Sequence, residues 1–172
     1  MLNINIFGGP GAGKSTAALH LASDMKKLGM NAEFIPEYAK DLVFAREDIK
    51  LSDQLHILGE QHHRIFRLKD KVQYLIHDSP FVMGLVYLQE DAHLPAKIFE
   101  QLSVTLFKSY SNLNIFLERN PSFEFQQIGR QQNHQDSLRK DVEIKTLLAR
   151  HNIPFCSLSV QENLNKQILG LI

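Results

Sequence analysis

The sequence predicts an α/β fold of three layers, with helices on both faces of a five-stranded parallel sheet. Three observations predict it. Short apolar runs alternate with longer amphipathic segments along the whole chain, the pattern of repeated βαβ units. The first apolar run, Leu2–Phe7, feeds directly into a glycine-rich turn, and a helical pattern leaves from that turn. The chain has 172 residues, with no repeat, low-complexity tract or linker to divide it, so residues 1–172 are expected to form a single domain.

Taken in order, the first strand alternates Leu2, Ile4 and Ile6 with Asn3 and Asn5. A central parallel strand is normally apolar on both faces. Either a polar segment covers one face, or the two amides serve a site. The first helix spans residues 15–28, with Ala18, Leu21, Ala22, Met25 and Leu28 on one face and Gly29 ending it. Residues 31–35 form a second strand closed by Pro36. Ser52 caps a long helix through residue 71, with Leu51, Leu55, Leu58, Ile65 and Phe66 toward the core. Residues 73–77 form a third strand ending at Asp78, and residues 81–88 and 95–110 are helical. Residues 113–117 form a fourth strand, 137–150 a helix and 155–158 a fifth strand. Ser159 and Glu162 have capping-box spacing ahead of a terminal helix.

The turn itself reads Gly8-Gly9-Pro10-Gly11-Ala12-Gly13-Lys14-Ser15, or G-x-x-x-x-G-K-S. Between a strand and a helix, this motif curls successive N–H groups into one concavity at a helix N-terminus, which suits polyphosphate. The expected nucleotide-binding residues are Gly9, Gly11, Ala12, Gly13, Lys14, Ser15 and Thr16. Lys14 would reach the β and γ phosphates, and the Ser15 hydroxyl would hold Mg²⁺. The ligands expected are therefore a nucleoside triphosphate, taken as ATP although the motif does not choose between ATP and GTP, and Mg²⁺.

Three further residues are candidates for the same chemistry. Asp78 ends an apolar strand and would hold the metal with Ser15. Glu37, after the second strand, lies at the sheet edge where parallel sheets bind ligands; there it would accept a proton from an attacking hydroxyl, or it is a solvated loop residue or the start of a helix with its carboxylate at the positive end. Arg130 follows Gly129 in a polar, glutamine-rich stretch expected to act as a lid over about residues 119–136. An arginine delivered to a moving phosphoryl group is worth roughly 10³–10⁵ in rate. Tyr38 and Lys40 are placed to grip an acceptor or to be ordinary surface. Arg64, Arg67 and Lys71 recur at helical spacing, a pattern of a solvated face or of one that meets a substrate.

Composition excludes several classes. Lys plus Arg equals Asp plus Glu, 19 each, which argues against tight, non-specific nucleic-acid binding. No apolar run is long enough to span a membrane, and the first strand leaves no room for a signal peptide, so a cytoplasmic protein is expected. Cys156, the only cysteine, is expected to be a small buried residue. His56, His62 and His63 lack the spacing of a zinc site. Asn165-Lys166-Gln167-Ile168 begins the base-reading N-K-x-D motif of GTPases but lacks the final Asp.

The loop, Glu37, Asp78-Ser79-Pro80 and the arginine-bearing lid together resemble the nucleoside and nucleotide kinase branch of P-loop proteins. More closely, Phe7–Thr16, Glu37-Tyr38-Ala39-Lys40-Asp41, Asp78-Ser79-Pro80 and Gly129-Arg130-Gln131 resemble a group of small bacteriophage P-loop proteins. These are AAA-like ATPases similar to nicotinamide riboside kinases, and related phage enzymes phosphorylate 5-hydroxymethyluridine within DNA. The resemblance implies a nucleotide-kinase-like P-loop NTPase fold and a phosphotransferase. Its catalytic residues would be Lys14, Glu37, Asp78 and Arg130, and its acceptor a free nucleoside or nucleotide, or a hydroxymethylated base in phage DNA. Host-cell cytoplasm is the location it implies. The alternative is a P-loop ATPase without an acceptor. Pro80 departs from the pattern, since kinases with a D-R-S motif carry arginine chemistry there.

Overall fold

The computed structural model describes residues 1–89, 93–120, 133–161 and 163–172. Strand β1 (Leu2–Phe7) leads through the glycine loop into α1 (Lys14–Lys27), then β2 (Ala32–Ile35). Helices α2 (Tyr38–Ala45), α3 (Asp48–Ser52) and α4 (Gln54–Phe66) precede β3 (Tyr74–Asp78) and a 3-10 turn, Phe81–Val86. Then come α5 (Ala96–Lys108), β4 (Ser111–Glu118), α6 (His134–Arg150), β5 (Cys156–Ser159) and α7 (Leu164–Leu169). The strand order is β2-β3-β1-β4-β5 with every pairing parallel, so β1 lies in the middle and its carboxyl end carries the loop.

Each face of the sheet has its own core. Ile4, Ile6, Ile76, Ile115 and Leu117 pack under α1 and α7 with Leu21, Met25 and Ile168. Phe7, Leu75 and Phe116 face the other way, into a cluster with Ile65, Phe81, Phe99, Phe107 and Leu148. Burial of these two apolar faces drives assembly of the three layers.

Asn3 and Asn5 lie on the second face, and both are buried. Asn5 Nδ2 donates to Asn112 Oδ1 and Asn114 Oδ1, both at 2.9 Å, and Asn114 Nδ2 donates to the Pro154 carbonyl at 2.9 Å. His77 Nε2 is 2.8 Å from Asn3 Oδ1. The amides thus bond to one another across adjacent strands, which removes the cost of burying polar groups. They fix register in the sheet and take no part in the loop's chemistry.

Burial holds His77 neutral and lowers its pKa from 6.5 to about 3. The unfolded chain takes up this proton at an ordinary value and the folded chain does not, so below pH 6.5 the unfolded state binds more protons. Stability is therefore expected to fall as pH falls from 6.5 toward about 3. Urea midpoints across that window check it: the slope should flatten in His77→Gln, and equal slopes would remove His77 as the cause.

Several expectations need correction. Cys156 is exposed, because β5 is the edge strand and leaves that position open to solvent. Leu28 is exposed where α1 ends and Gly29 turns the chain at φ 77°. The long helix starts later: Asp53, not Ser52, is its cap, accepting from His56 N–H at 2.9 Å. Leu55 and Phe66 are exposed, and the inward stripe is Gln54, Ile57, Leu58, Gln61 and Ile65. Helix α2 begins directly after Glu37, the helix start weighed for that residue, and the helix expected after Pro80 is of the 3-10 type over Phe81–Val86. Asn163 stands at the N-cap of α7, while Glu162 of the expected capping box lies outside the described residues.

Candidate active site at the carboxyl edge of the sheet

The glycine loop wraps the end of β1. Gly13, at φ 90°, occupies the N-cap of α1, a left-handed conformation that suits glycine. Lys14 opens the helix and is 7% exposed, and its Nζ donates to the Gly9 carbonyl at 3.1 Å. Gly11, Gly13, Lys14, Ser15 and Thr16 line one wall of a cavity of about 650 Å³. Gly9 is not in that wall. Its N–H instead meets Asp141 Oδ1 at 2.6 Å.

The opposite wall comes from the ends of β2 and β3. Glu37, Ser79 and Pro80 line it, whereas Asp78, which terminates β3, is not in the lining; it is buried, with Oδ1 lacking any hydrogen-bond partner among the described residues. Ser79 follows in the left-handed region at φ 64°, which is strained for a residue with a side chain. That conformation lets Ser79 Oγ donate to Glu37 Oε2 at 3.0 Å. Glu37 is the N-cap residue of α2, yet its side chain makes no cap bond. Burial pushes the Glu37 carboxyl above its ordinary value. Lys14 opposes the rise, Asp78 adds to it, and the Ser79 hydrogen bond and Lys40 oppose it. Lys14, Glu37 and Asp78, far apart in sequence, therefore form one electrostatic group.

Helix α4 holds Glu37 in place. Arg64 Nη1 donates to the Pro36 carbonyl at 3.1 Å, Nη2 pairs with Asp41 Oδ2 at 3.1 Å, and the guanidinium lies 5.0 Å from the Tyr38 ring centroid. Tyr38 Oη and His56 Nε2 share a hydrogen bond of 2.9 Å. Arg64 is thus committed to contacts within the protein rather than being a solvated charge. It braces the first turn of α2 behind the carboxylate. Tyr38 serves the same brace, whereas Lys40 lines the cavity.

Beyond Glu37 the cavity continues between α2, α4 and the 3-10 turn. Val43, Leu51, Ile57 and Met83 make its apolar sides, and Gln54, Gln61 and Tyr87 bring polar ends into it. Gln54 and Gln61 are both buried. The sequence reading missed them, although their i, i+7 spacing on a helix face was a readable signal. Burial, with the nearby Glu37 charge, also raises the Tyr87 phenol well above its usual value.

The basic stretch after β4 is largely committed to structure. Arg119 pairs with Asp141, Arg139 pairs with Asp136, and Lys140 Nζ donates to the Val86 carbonyl at 2.7 Å and to Glu143 at 2.6 Å. Arg130 and most of the expected lid lie outside the described residues.

Among the described residues no group of three or more His, Cys, Asp and Glu side chains can hold an ion, so a closed protein cage is not formed. Mg²⁺ needs less, since it keeps several waters and uses one or two protein oxygens with substrate phosphates. The orphaned, buried Asp78 Oδ1 suits that role, because a carboxylate oxygen without a partner is costly unless a ligand completes it.

A parallel five-stranded sheet with a glycine loop after its central strand defines the P-loop nucleoside-kinase fold. The profile of the AAA domain matches residues 3–164, and the chain belongs to that family. No curated protein matches the sequence at a significant level. The chain is similar in structure to deoxyadenosine kinase from M. mycoides with dATP bound, at TM-score 0.58 and 17% identity over 98% of this chain and 97% of that one. The same enzyme with dCMP and a flexible dCDP bound gives TM-score 0.56 and 16% identity over the same shares. No helix among the described residues is long and apolar enough to cross a membrane.

Proposed function

We propose that the protein is an ATP- and Mg²⁺-dependent phosphotransferase acting on a hydroxyl of a nucleoside-like acceptor. The observation that carries this reading is the continuity of the cavity. It runs from the phosphate loop past Glu37 into a compartment walled by Val43, Ile57 and Met83, with the Gln54 and Gln61 amides in its lining. An ATPase that delivers phosphate to water has no use for such a compartment. Apolar walls with a few amides suit a base and its polar edge. The similarity to a deoxyadenosine kinase and the resemblance to phage kinases point the same way.

In this reading the amides of Gly11, Ala12, Gly13, Lys14, Ser15 and Thr16 cradle the triphosphate, with Gly9 buttressing the loop from behind. Lys14 follows charge onto the transferring group. Ser15 and Asp78 hold Mg²⁺, which supplies charge neutralisation on the phosphate oxygens. Glu37 takes the proton of the attacking hydroxyl, and Arg130 adds positive charge to the transferring group. The acceptor is a free nucleoside or nucleotide, or a hydroxymethylated base presented by phage DNA. The balance of 19 basic and 19 acidic residues favours the free molecule. The protein would act in the cytoplasm, that of the host cell if phage-encoded, as one domain spanning residues 1–172.

The test is transfer of labelled γ-phosphate to a panel of nucleosides, nucleoside monophosphates, nicotinamide riboside and DNA containing 5-hydroxymethyluracil. Label is expected on one acceptor class. Label released only as free phosphate, whatever is added, would make the protein an ATPase without an acceptor.

A further inference from the structure

The proposed mechanism makes no use of a partly buried ion pair that grips the phosphate loop from outside the cavity. Arg119 follows β4 directly, and Asp141 lies in the second turn of α6. Their side chains are only 18% and 16% exposed, and Arg119 Nε donates to Asp141 Oδ2 at 2.5 Å. The other Asp141 oxygen accepts the Gly9 N–H at 2.6 Å. Arg119 Nη2 donates to the Pro10 carbonyl at 3.0 Å and the Ser137 carbonyl at 3.1 Å. The peptide groups on either side of the Gly9–Pro10 bond are thereby held by charged partners, Gly8–Gly9 through its N–H and Pro10–Gly11 through its carbonyl.

The fit explains an otherwise unnecessary glycine. Gly9 has no positive φ to require one. A Cβ there would lie 2.5 Å from the Ser137 carbonyl oxygen, 2.8 Å from Arg119 Nη2 and 2.8 Å from Asp141 Oδ1. Glycine stands at this position because the clamp comes within reach of the backbone.

We infer that Arg119 and Asp141 are positioning residues for the triphosphate: they set the loop entry so that the Gly9 carbonyl meets Lys14 and the downstream amides face the ligand. Two features give the pair this role rather than a purely architectural one. Hydrogen bonds to charged groups are stronger and shorter than neutral ones, so they hold a backbone more tightly. Arg119 also neutralises a carboxylate that would otherwise repel a polyphosphate bound nearby.

This inference rests on the proposed nucleotide site, and the experiment separates the two. ATP binding with Mg²⁺ is measured by calorimetry for the parent, Asp141→Ala, Asp141→Asn, Gly9→Ala and the Gly9→Ala/Asp141→Ala double variant, with thermal melts alongside. Asp141→Asn preserves shape and can still accept from Gly9, so it reports even where alanine lowers folding. Loss of one charge-assisted hydrogen bond is expected to weaken ATP binding about tenfold in Asp141→Ala, with a smaller loss in Asp141→Asn. The double variant is expected to lose less than the product of the single losses, because both act on one contact. In steady state the KM for ATP rises while the KM for the acceptor stays at the parent value. ATP affinity equal to the parent's in the folded variants, whatever their melting temperatures, would make the clamp purely structural and overturn the inference. A parent that takes up no nucleotide would overturn this inference and the proposed function together.

Discussion

Lys14→Ala is expected to reduce phosphoryl transfer by roughly 10³-fold or more, the loss seen when a preorganised cation or donor is taken from a transferring group. The same change is expected to leave the melting temperature near the parent's. Lys14 is buried to 7% exposure, and its ammonium donates to the neutral Gly9 carbonyl. Desolvation of that charge works against its attraction to Glu37, so the lysine adds little net stability. The lysine is therefore kept for what it does to a ligand. Transfer of labelled γ-phosphate, read beside a thermal melt, checks both halves. Undiminished transfer in a folded variant would remove Lys14 from the reaction.

The parts of the site that are contiguous in sequence were legible there. A strand, a glycine loop and a helix in immediate succession constrain one another, and the structure has all three where the motif placed them. The sheet followed from the alternation of apolar runs, because strands buried on both faces need helices between them. Residues whose meaning depends on distant partners were not legible. Asn3 and Asn5 looked anomalous until Asn112, Asn114 and His77 stood beside them. Gln54 and Gln61 interrupt an apolar stripe, so the period selected Leu55 and Phe66 instead, which are exposed. Arg64 gave the pattern of a solvated helix face, but Pro36 and Asp41 lie within its reach only after α2 folds back onto α4. Asp141 carried no signal at all, since only tertiary packing brings it to Gly9.

Glu37→Gln separates chemistry from binding. Glutamine keeps the size of the side chain and can still accept from Ser79 Oγ, but it cannot take a proton from an acceptor hydroxyl. Loss of a positioned general base is expected to lower kcat by roughly 10²–10⁴, with ATP affinity kept. The pH dependence gives a second signature. Burial raises the Glu37 carboxyl above its ordinary 4.5, and Asp78 adds to the rise. The acid limb of the parent's kcat/KM profile should therefore fall at higher pH than an ordinary carboxylate gives, and the variant should lack it. Stability moves in the opposite sense. Above pH 4.5 the unfolded chain releases this proton while the folded chain still holds it, so the group's contribution is full below 4.5 and is lost as pH rises through the raised value. At neutral pH without ligand, Glu37→Gln should consequently be more stable than the parent, a gain visible in urea midpoints and absent in acid. A variant that is slower yet no more stable at neutral pH would mean that the carboxylate is well solvated. A variant with the parent's kcat would leave Glu37 as architecture, with the proton leaving by another route.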